Sequence, residues 1–257
     1  MIAPTLPQVA DISAVFGAVF APIAEWNSVL ATELADPAAR TRRHVDDIVE
    51  HLVRPEFARA DSLVVGAGFV AAPQVIVDAP WHLAWWLGDA NGFAIGGGRG
   101  TVRRLEAVED PASESFRDHT TLEWWRVPER TGRRHITGPY VDYLCTDDYT
   151  LTLTDPVVVD GRLVGVVGAD VYVTDAERVL LATLRRLGDE ASLVNASGRI
   201  VVSTDPRLAT GALLRDPAVT DAVRELAPDA SVVLPDGRRV TACGDTSLAL
   251  ITGATTR

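Results

Sequence analysis

The stretch GPYVDY, residues 138–143, sets Asp142 between Tyr140 and Tyr143, and a second aspartate, Asp170, follows 28 positions later in VVGAD. On a strand, residues two apart project from one face, so Tyr140 and Asp142 would point the same way. Two carboxylates beside aromatic rings are suited to an organic cation. A protonated amine carries up to three donors and a full charge, and leaving water costs it several kcal/mol unless acceptors of opposite charge replace its hydration. The same residues have a plainer use: Tyr140 and Asp142 can serve strand and turn packing, and Asp170 can be a satisfied polar group beside the helix that follows.

Other chemistries find weaker support. His119, Asp118 and His135 lie near serines, yet no GxSxG elbow and no glycine-rich oxyanion loop accompanies them, so a hydrolase is disfavoured and the chain reads as a binding protein, not an enzyme. His44, Asp47 and His51 share a helix at a spacing that could hold a metal, but such a trio usually faces solvent, and no metal or cofactor is expected. FAIGGGRG lacks the lysine of a phosphate loop and reads as a hairpin end. All 24 basic residues are arginine, which also removes Schiff-base chemistry. Cys145 and Cys243 lie outside any CxxC spacing and read as packed thiols.

The formal charge of −11 and pI near 4.9 oppose nucleic acid and anionic membrane as partners. With 257 residues and 47% apolar content the chain can bury one large core or two modest ones. The run VADISAVFGAVFAPIAEW is interrupted by Asp11, Ser13, Pro22 and Glu25 and has no basic leader, so neither a signal peptide nor a membrane span is expected and a cytoplasmic location is.

The elements that must position these groups follow from periodicity. Val9, Ile12, Val15, Phe16, Val19, Phe20, Ile23, Trp26, Val29 and Leu30 follow the rhythm of a long helix over residues 7–35, and that helix is a natural surface for a homodimer or a partner protein. A second helix is expected from about Asp36, which can cap it, to Leu52, stopping before Pro55. Strand texture starts near residue 61 with SLVVGAGFVA, WHLAWWLG and GFAIGGG, the last two joined by a DANG turn. Trp81, Trp85 and Trp86 there could add a wall to a pocket, although large aromatics on strands are usually core. A helix-tolerant segment, residues 113–132, precedes three strands, HITGPYVDYLC, YTLTLTDPVVV and RLVGVVGADVYV, whose short TDD and DGR connections make them antiparallel neighbours. A helix capped by Thr174 runs to Gly188, and a hairpin, another helix and three short strands complete the chain.

The segment from Leu122 to Val171 resembles the ligand-binding half of Cache sensor domains, the tandem PAS-like modules of bacterial chemoreceptors and sensor kinases. The resemblance rests on an aromatic pair ending a helix, a P-Y-x-D strand, a strand closing on DPVVVDG and a LVGVVGADV strand, and NASGRIVVSTD resembles the start of the smaller second module. It implies an α+β fold: N-terminal helices over 1–60, a ligand-binding PAS-like antiparallel sheet module over 61–175 and a smaller second PAS-like α/β unit over 176–257. Carried over by position, the site falls on Trp124, Trp125, Tyr140, Asp142 and Asp170. Two positions depart from the amino-acid-binding pattern: the arginine that grips a ligand carboxylate falls on Leu122, and an early tyrosine falls near Arg117.

The resemblance therefore implies a sensor that keeps the amine half of its pocket. Charge-assisted hydrogen bonds of about 1.5–3 kcal/mol each and about 0.5–2 kcal/mol from a stacked ring suffice for roughly micromolar affinity after the entropic cost of binding. The expected ligand is a primary amine or polyamine, with a signalling or transcriptional protein as downstream partner. The alternatives are an amino-acid sensor in which Arg117 or Arg126 takes the carboxylate, since the planar guanidinium suits that group, and a structural or interaction module whose pocket has decayed.

Overall fold

A computed structural model describes residues 7–88, 102–141, 149–188 and 190–253. Asp142, Cys145, the glycine-rich FAIGGGRG segment and the DANG and TDD turns lie outside the described residues.

Helix α1 (Pro7–Glu33) buries most of the positions its periodicity marks, from Val9 to Leu30, but leaves Val15 half-buried and Val29 exposed. That face packs along the sheet and a later helix of the same chain, so it is covered within the chain. α1 is also long and apolar enough to cross a membrane, which corrects the expectation that no segment reaches that length. Asp36 caps only the short 3-10 turn Pro37–Ala39. Helix α2 (Arg42–Phe57) begins after Thr41 and carries Pro55 in its last turn. So close to the end, the missing N–H and the ring interrupt little of the helix that follows.

The first sheet holds β1 (Val64–Ala71), β2 (Leu83–Leu87), β3 (Arg103–Arg104), β4 (His135–Val141), β5 (Tyr149–Val159) and β6 (Arg162–Tyr172). Its order is β3-β2-β1-β6-β5-β4, and the β4-β5-β6 neighbours are antiparallel as expected. Asp160 and Gly161, both at positive φ (50° and 75°), make the tight turn between β5 and β6. In place of the long helix tolerated by residues 113–132 there is a 3-10 turn, His119–Thr121, and a short helix α3 (Glu123–Thr131) that includes Pro128 and ends on Gly132.

Both faces of this sheet are covered, and the two-residue period of each strand sorts its side chains between them. Ala67, Phe69, Trp86, Leu151, Leu153, Val167, Ala169 and Val171 enter the large core under α1 and α2. Val70, Leu83, Trp85, Leu87 and Val166 enter a smaller cluster on the other face with Trp125 of α3.

Helix α4 (Val173–Arg185), capped at Tyr172 rather than Thr174, leads to a second sheet. Strands β7 (Ala191–Asn195), β8 (Ile200–Ser203), β9 (Ser231–Val233), β10 (Arg239–Ala242) and β11 (Leu248–Thr252) take the order β8-β7-β11-β10-β9, with α5 (Pro217–Glu225) beside them. Asp216 caps α5 by accepting from the Ala218 and Val219 amides. Cys243 is fully buried there, and burial pushes its thiol up to about 12. The architecture is α+β throughout, as expected.

Candidate functional site

On the second face of the first sheet lies a cavity of about 390 Å³. Strand pairing builds its base. Asp170 on β6 is opposite Gly66 on β1, Gly68 is opposite Trp85 on β2, and Val70 is opposite Leu83. A Cβ on Gly66 would meet the Trp85 indole nitrogen at 2.9 Å and Asp170 Oδ2 at 3.1 Å. Only glycine leaves room for indole and carboxylate to close on this spot.

Asp170 is 2% exposed. Thr152 on β5, its direct cross-strand neighbour, donates its hydroxyl to Asp170 Oδ1 at 2.6 Å. Tyr140 on β4 is 2.7 Å from the same threonine oxygen. Because the one threonine proton goes to the carboxylate, the tyrosine hydroxyl is the donor in this second bond. The three groups form a directed chain ending on a buried carboxylate.

The walls are mostly apolar and aromatic: Val70, Leu83, Trp85, Leu105, Phe116, Leu122 and Trp124 line the cavity. Trp124 is fixed by its carbonyl, which accepts from the Thr154 hydroxyl at 2.9 Å. Arg117 and Asp118 stand exposed at the rim. One terminal nitrogen of Arg117 donates to the carbonyls of Glu114 and Phe116 at 3.2 and 3.0 Å. Asp118 Oδ1 caps the 3-10 turn through the Thr120 amide and hydroxyl.

Of the residues expected from the sequence, Trp124, Tyr140, Asp170, Arg117 and Leu122 line this one cavity. Trp125 does not: the next position on a helix turns about 100° away, and its ring is 1% exposed, packed behind the wall against His119 at 5.0 Å. Arg126 is exposed and is not a lining residue. Of the three strand-region tryptophans only Trp85 lines the cavity. Trp86 faces the helix side, with Arg104 over its ring at 5.9 Å, and Trp81 packs on Phe116 and His119. Thr152 was not anticipated, although YTLTLTD carried the signal. Strict alternation of threonine with leucine sends every leucine of that run to the helix-side core and every threonine to the cavity face.

The histidines near this region serve structure. Burial holds His119 below its ordinary pKa, which keeps it neutral among the rings. His135 Nε2 meets Glu123 Oε1 at 3.0 Å and its Nδ1 meets Ser247 Oγ at 3.1 Å, a Ser-His-Glu line that superficially resembles a hydrolase. The serine proton is directed to the Thr246 carbonyl and its oxygen accepts the Ile136 amide, so the line ties β4 to the second sheet. The hydrogen bond with His135 is the main cause holding Glu123 below the usual carboxylate range.

No family model and no curated protein matches the sequence. Solved structures do. The extracellular domain of mmHK1S-Z3, a protein described as a histidine kinase, is similar with TM-score 0.62 and 16% identity over 96% of this chain and 90% of that one. Methyl-accepting Chemotaxis protein X gives TM-score 0.59 and 17% identity over 95% and 91%. The chain has the fold of these sensor domains. It is the double Cache, PAS-like architecture that residues 122–171 resemble, now covering nearly the whole chain. The ligand-binding domain of the Pseudomonas aeruginosa PAO1 amino acid chemoreceptor PctB, in complex with L-Arg, is similar with TM-score 0.54 and 14% identity over 95% and 88%. The histidine-kinase neighbour is an extracellular domain, so these likenesses lend no support to the cytoplasmic location expected from composition.

Proposed function

We propose that this double Cache protein is a small-molecule sensor domain that recognises an organic amine without changing it chemically. The observation that carries this reading is Asp170. It is a carboxylate at 2% exposure on the base of a ring-walled cavity, already oriented by a hydroxyl chain through Thr152 and Tyr140. A carboxylate so placed is suited to accept an ammonium group, since a charge-assisted hydrogen bond is stronger than a neutral one. Trp124, Trp85 and Tyr140 supply faces for the cation. Asp142, outside the described residues, is the second carboxylate that the sequence pairs with it.

The second reading, an amino-acid sensor, has one specific support: Arg117 lines the same cavity, and PctB is in complex with L-Arg. Leu122, where the resemblance expects the carboxylate-gripping arginine, instead puts an apolar side chain on the wall. A decayed pocket is disfavoured by the size of the cavity, which its own side chains do not fill.

Titration calorimetry with an alkylamine and its parent amino acid separates the readings. Heat from the amine alone supports the first, and heat from the amino acid alone supports the second. Leu122→Arg should shift preference toward carboxylated ligands. Asp170→Ala should abolish amine binding, and unchanged affinity in that variant would remove the main argument.

A further inference from the structure

We propose that His119 is a positioning residue of the ligand cavity: buried behind the aromatic wall, it latches the segment that carries much of that wall onto β1, and the wall is closed only while this latch is seated. This rests on the cavity being the ligand site, and not on which ligand fills it.

Phe116, Arg117, Asp118, Thr121, Leu122 and Trp124, all from the single stretch 116–124, line the cavity. The hydrogen bonds of this stretch before α3 are local. The Phe116 amide donates to the Ser113 carbonyl at 3.0 Å, and the Leu122 amide to the His119 carbonyl at 3.1 Å. The side chains of Arg117 and Asp118 bond within residues 114–120. Among the described residues, the hydrogen bond that ties residues 116–122 to the sheet is that of His119 with the backbone of Ala71, the last residue of β1. The α3 end of the wall is held separately, by Thr154 at the Trp124 carbonyl.

The imidazole is also the hub of the rings behind the wall. Its centroid lies 5.4 Å from Trp81, 6.1 Å from Trp124 and 5.0 Å from Trp125, and Trp81 in turn meets Phe116 edge-on at 4.9 Å. Phe116 and Trp124, which both line the cavity, are thus placed by contacts that pass through His119 or through Trp81 beside it. Burial of the ring, 5% exposed, holds it below its ordinary pKa, ahead of the Ala71 hydrogen bond and the Asp118 charge, which act the other way. The side chains packed on it from the β1–β2 connection and from α3 are indoles. Glu123 of α3 is engaged with His135, and Arg117 and Arg126 are exposed.

A segment swung off the sheet returns the imidazole to water, where it takes a proton near pH 6.5, an approximate reference value. Opening is therefore favoured as pH falls below about 6.5, by up to about tenfold per pH unit until the seated ring is itself protonated. His82 runs the other way, since its raised pKa stabilises on the acid side.

The test is hydrogen–deuterium exchange of the whole chain at about pH 7.5 and about pH 5.5, on either side of that reference value and corrected for intrinsic amide exchange. The amides of residues 116–122 are expected to lose up to about tenfold of their protection at the lower pH, while those of β7 keep theirs. His119→Phe, which keeps a ring and cannot take a proton, is expected to abolish that pH dependence; should this variant not fold, the native chain's profile decides. Hexylamine at about a hundred times its calorimetric Kd is expected to slow exchange in the same residues about a hundredfold, because a ligand that needs the closed wall suppresses its opening in proportion to its saturation. Exchange of residues 116–122 that is the same at both pH values, or equally pH-dependent in His119→Phe, would overturn the proposal, as would hexylamine that binds without slowing it. Hexylamine that does not bind would count against the amine reading alone, and the pH comparison would still decide the latch.

Discussion

The hydroxyl chain from Tyr140 through Thr152 to Asp170 makes the threonine a positioning residue: it holds the carboxylate and the Tyr140 hydroxyl in one line. Replacing Thr152 with valine keeps the shape but removes its hydrogen bonds to Tyr140 and Asp170, at a cost of about 0.5–1.5 kcal/mol for each bond lost. Thr152→Val is therefore expected to lower amine affinity about tenfold and to reduce stability in urea denaturation. Asp170→Asn is the cleaner probe of charge. It keeps an acceptor for Thr152, so the fold should persist in circular dichroism while amine-induced thermal stabilisation disappears. In the native protein, a ligand at a hundred times its Kd adds about 2.7 kcal/mol to stability, and the asparagine variant should show none of it.

Among the elements, α2, β2 and the segment after β3 meet at His82, which has no exposed surface. Its Nε2 is 3.0 Å from Asp46 Oδ1 and its Nδ1 is 3.0 Å from Glu109 Oε1, and Arg104 and Arg42 flank the two carboxylates. Burial alone would favour neutral His82, but the hydrogen bonds to Asp46 and Glu109 outweigh it and raise its pKa above the ordinary histidine value. Burial likewise opposes charge on Asp46 and Glu109, yet hydrogen bonds, first of all with His82, hold both below the usual carboxylate range. A raised histidine stabilises fully below its unfolded pKa of about 6.5, and that contribution is lost as pH rises through the folded value. The depressed carboxylates stabilise above their unfolded values, and theirs is lost as pH falls through the folded ones. Stability should therefore peak between the carboxylate and histidine transitions. His82→Gln should flatten the alkaline side of a melting-temperature profile, and an unchanged profile would assign the network no part in pH dependence.

Over the whole molecule, the two sheets are joined at β4, the edge strand that carries Tyr140. Asn195, 5% exposed at the end of β7, donates to the Gly138 carbonyl at 2.7 Å. Its oxygen accepts the Ser197 and Arg199 amides, both at 2.9 Å. The Ser247–His135 contact and the Arg134–Asp245 ion pair reinforce the joint. Asn195→Ala strands a buried carbonyl two residues from Tyr140 and frees the turn after β7. The expected loss is about 1–3 kcal/mol in urea denaturation, together with weaker amine binding, whereas a substitution at an exposed position on α5 such as Arg224→Ala should do neither.

Much of this was legible in order along the chain. Helical periodicity in residues 7–33, the β5–β6 turn at Asp160 and Gly161, and the spacing from Tyr140 to Asp170 are local patterns, set by backbone geometry and by which side chains avoid water. The likeness to Cache sensor domains, carried over by position, is what pointed to Trp124, Tyr140, Asp170, Arg117 and Leu122. What periodicity does not encode is which covered face a strand residue enters when both faces are buried. Trp85 and Trp86 are adjacent and chemically identical, and only pairing with β1 sends one to the cavity and the other to the helices. Trp125 was lost to the core by one step of helical rotation. Sequence by itself determined the elements and the chemical types on offer. Tertiary structure alone decided which of them share a cavity, because cross-strand register and helix rotation turn positions far apart in the chain into neighbours a few ångströms apart.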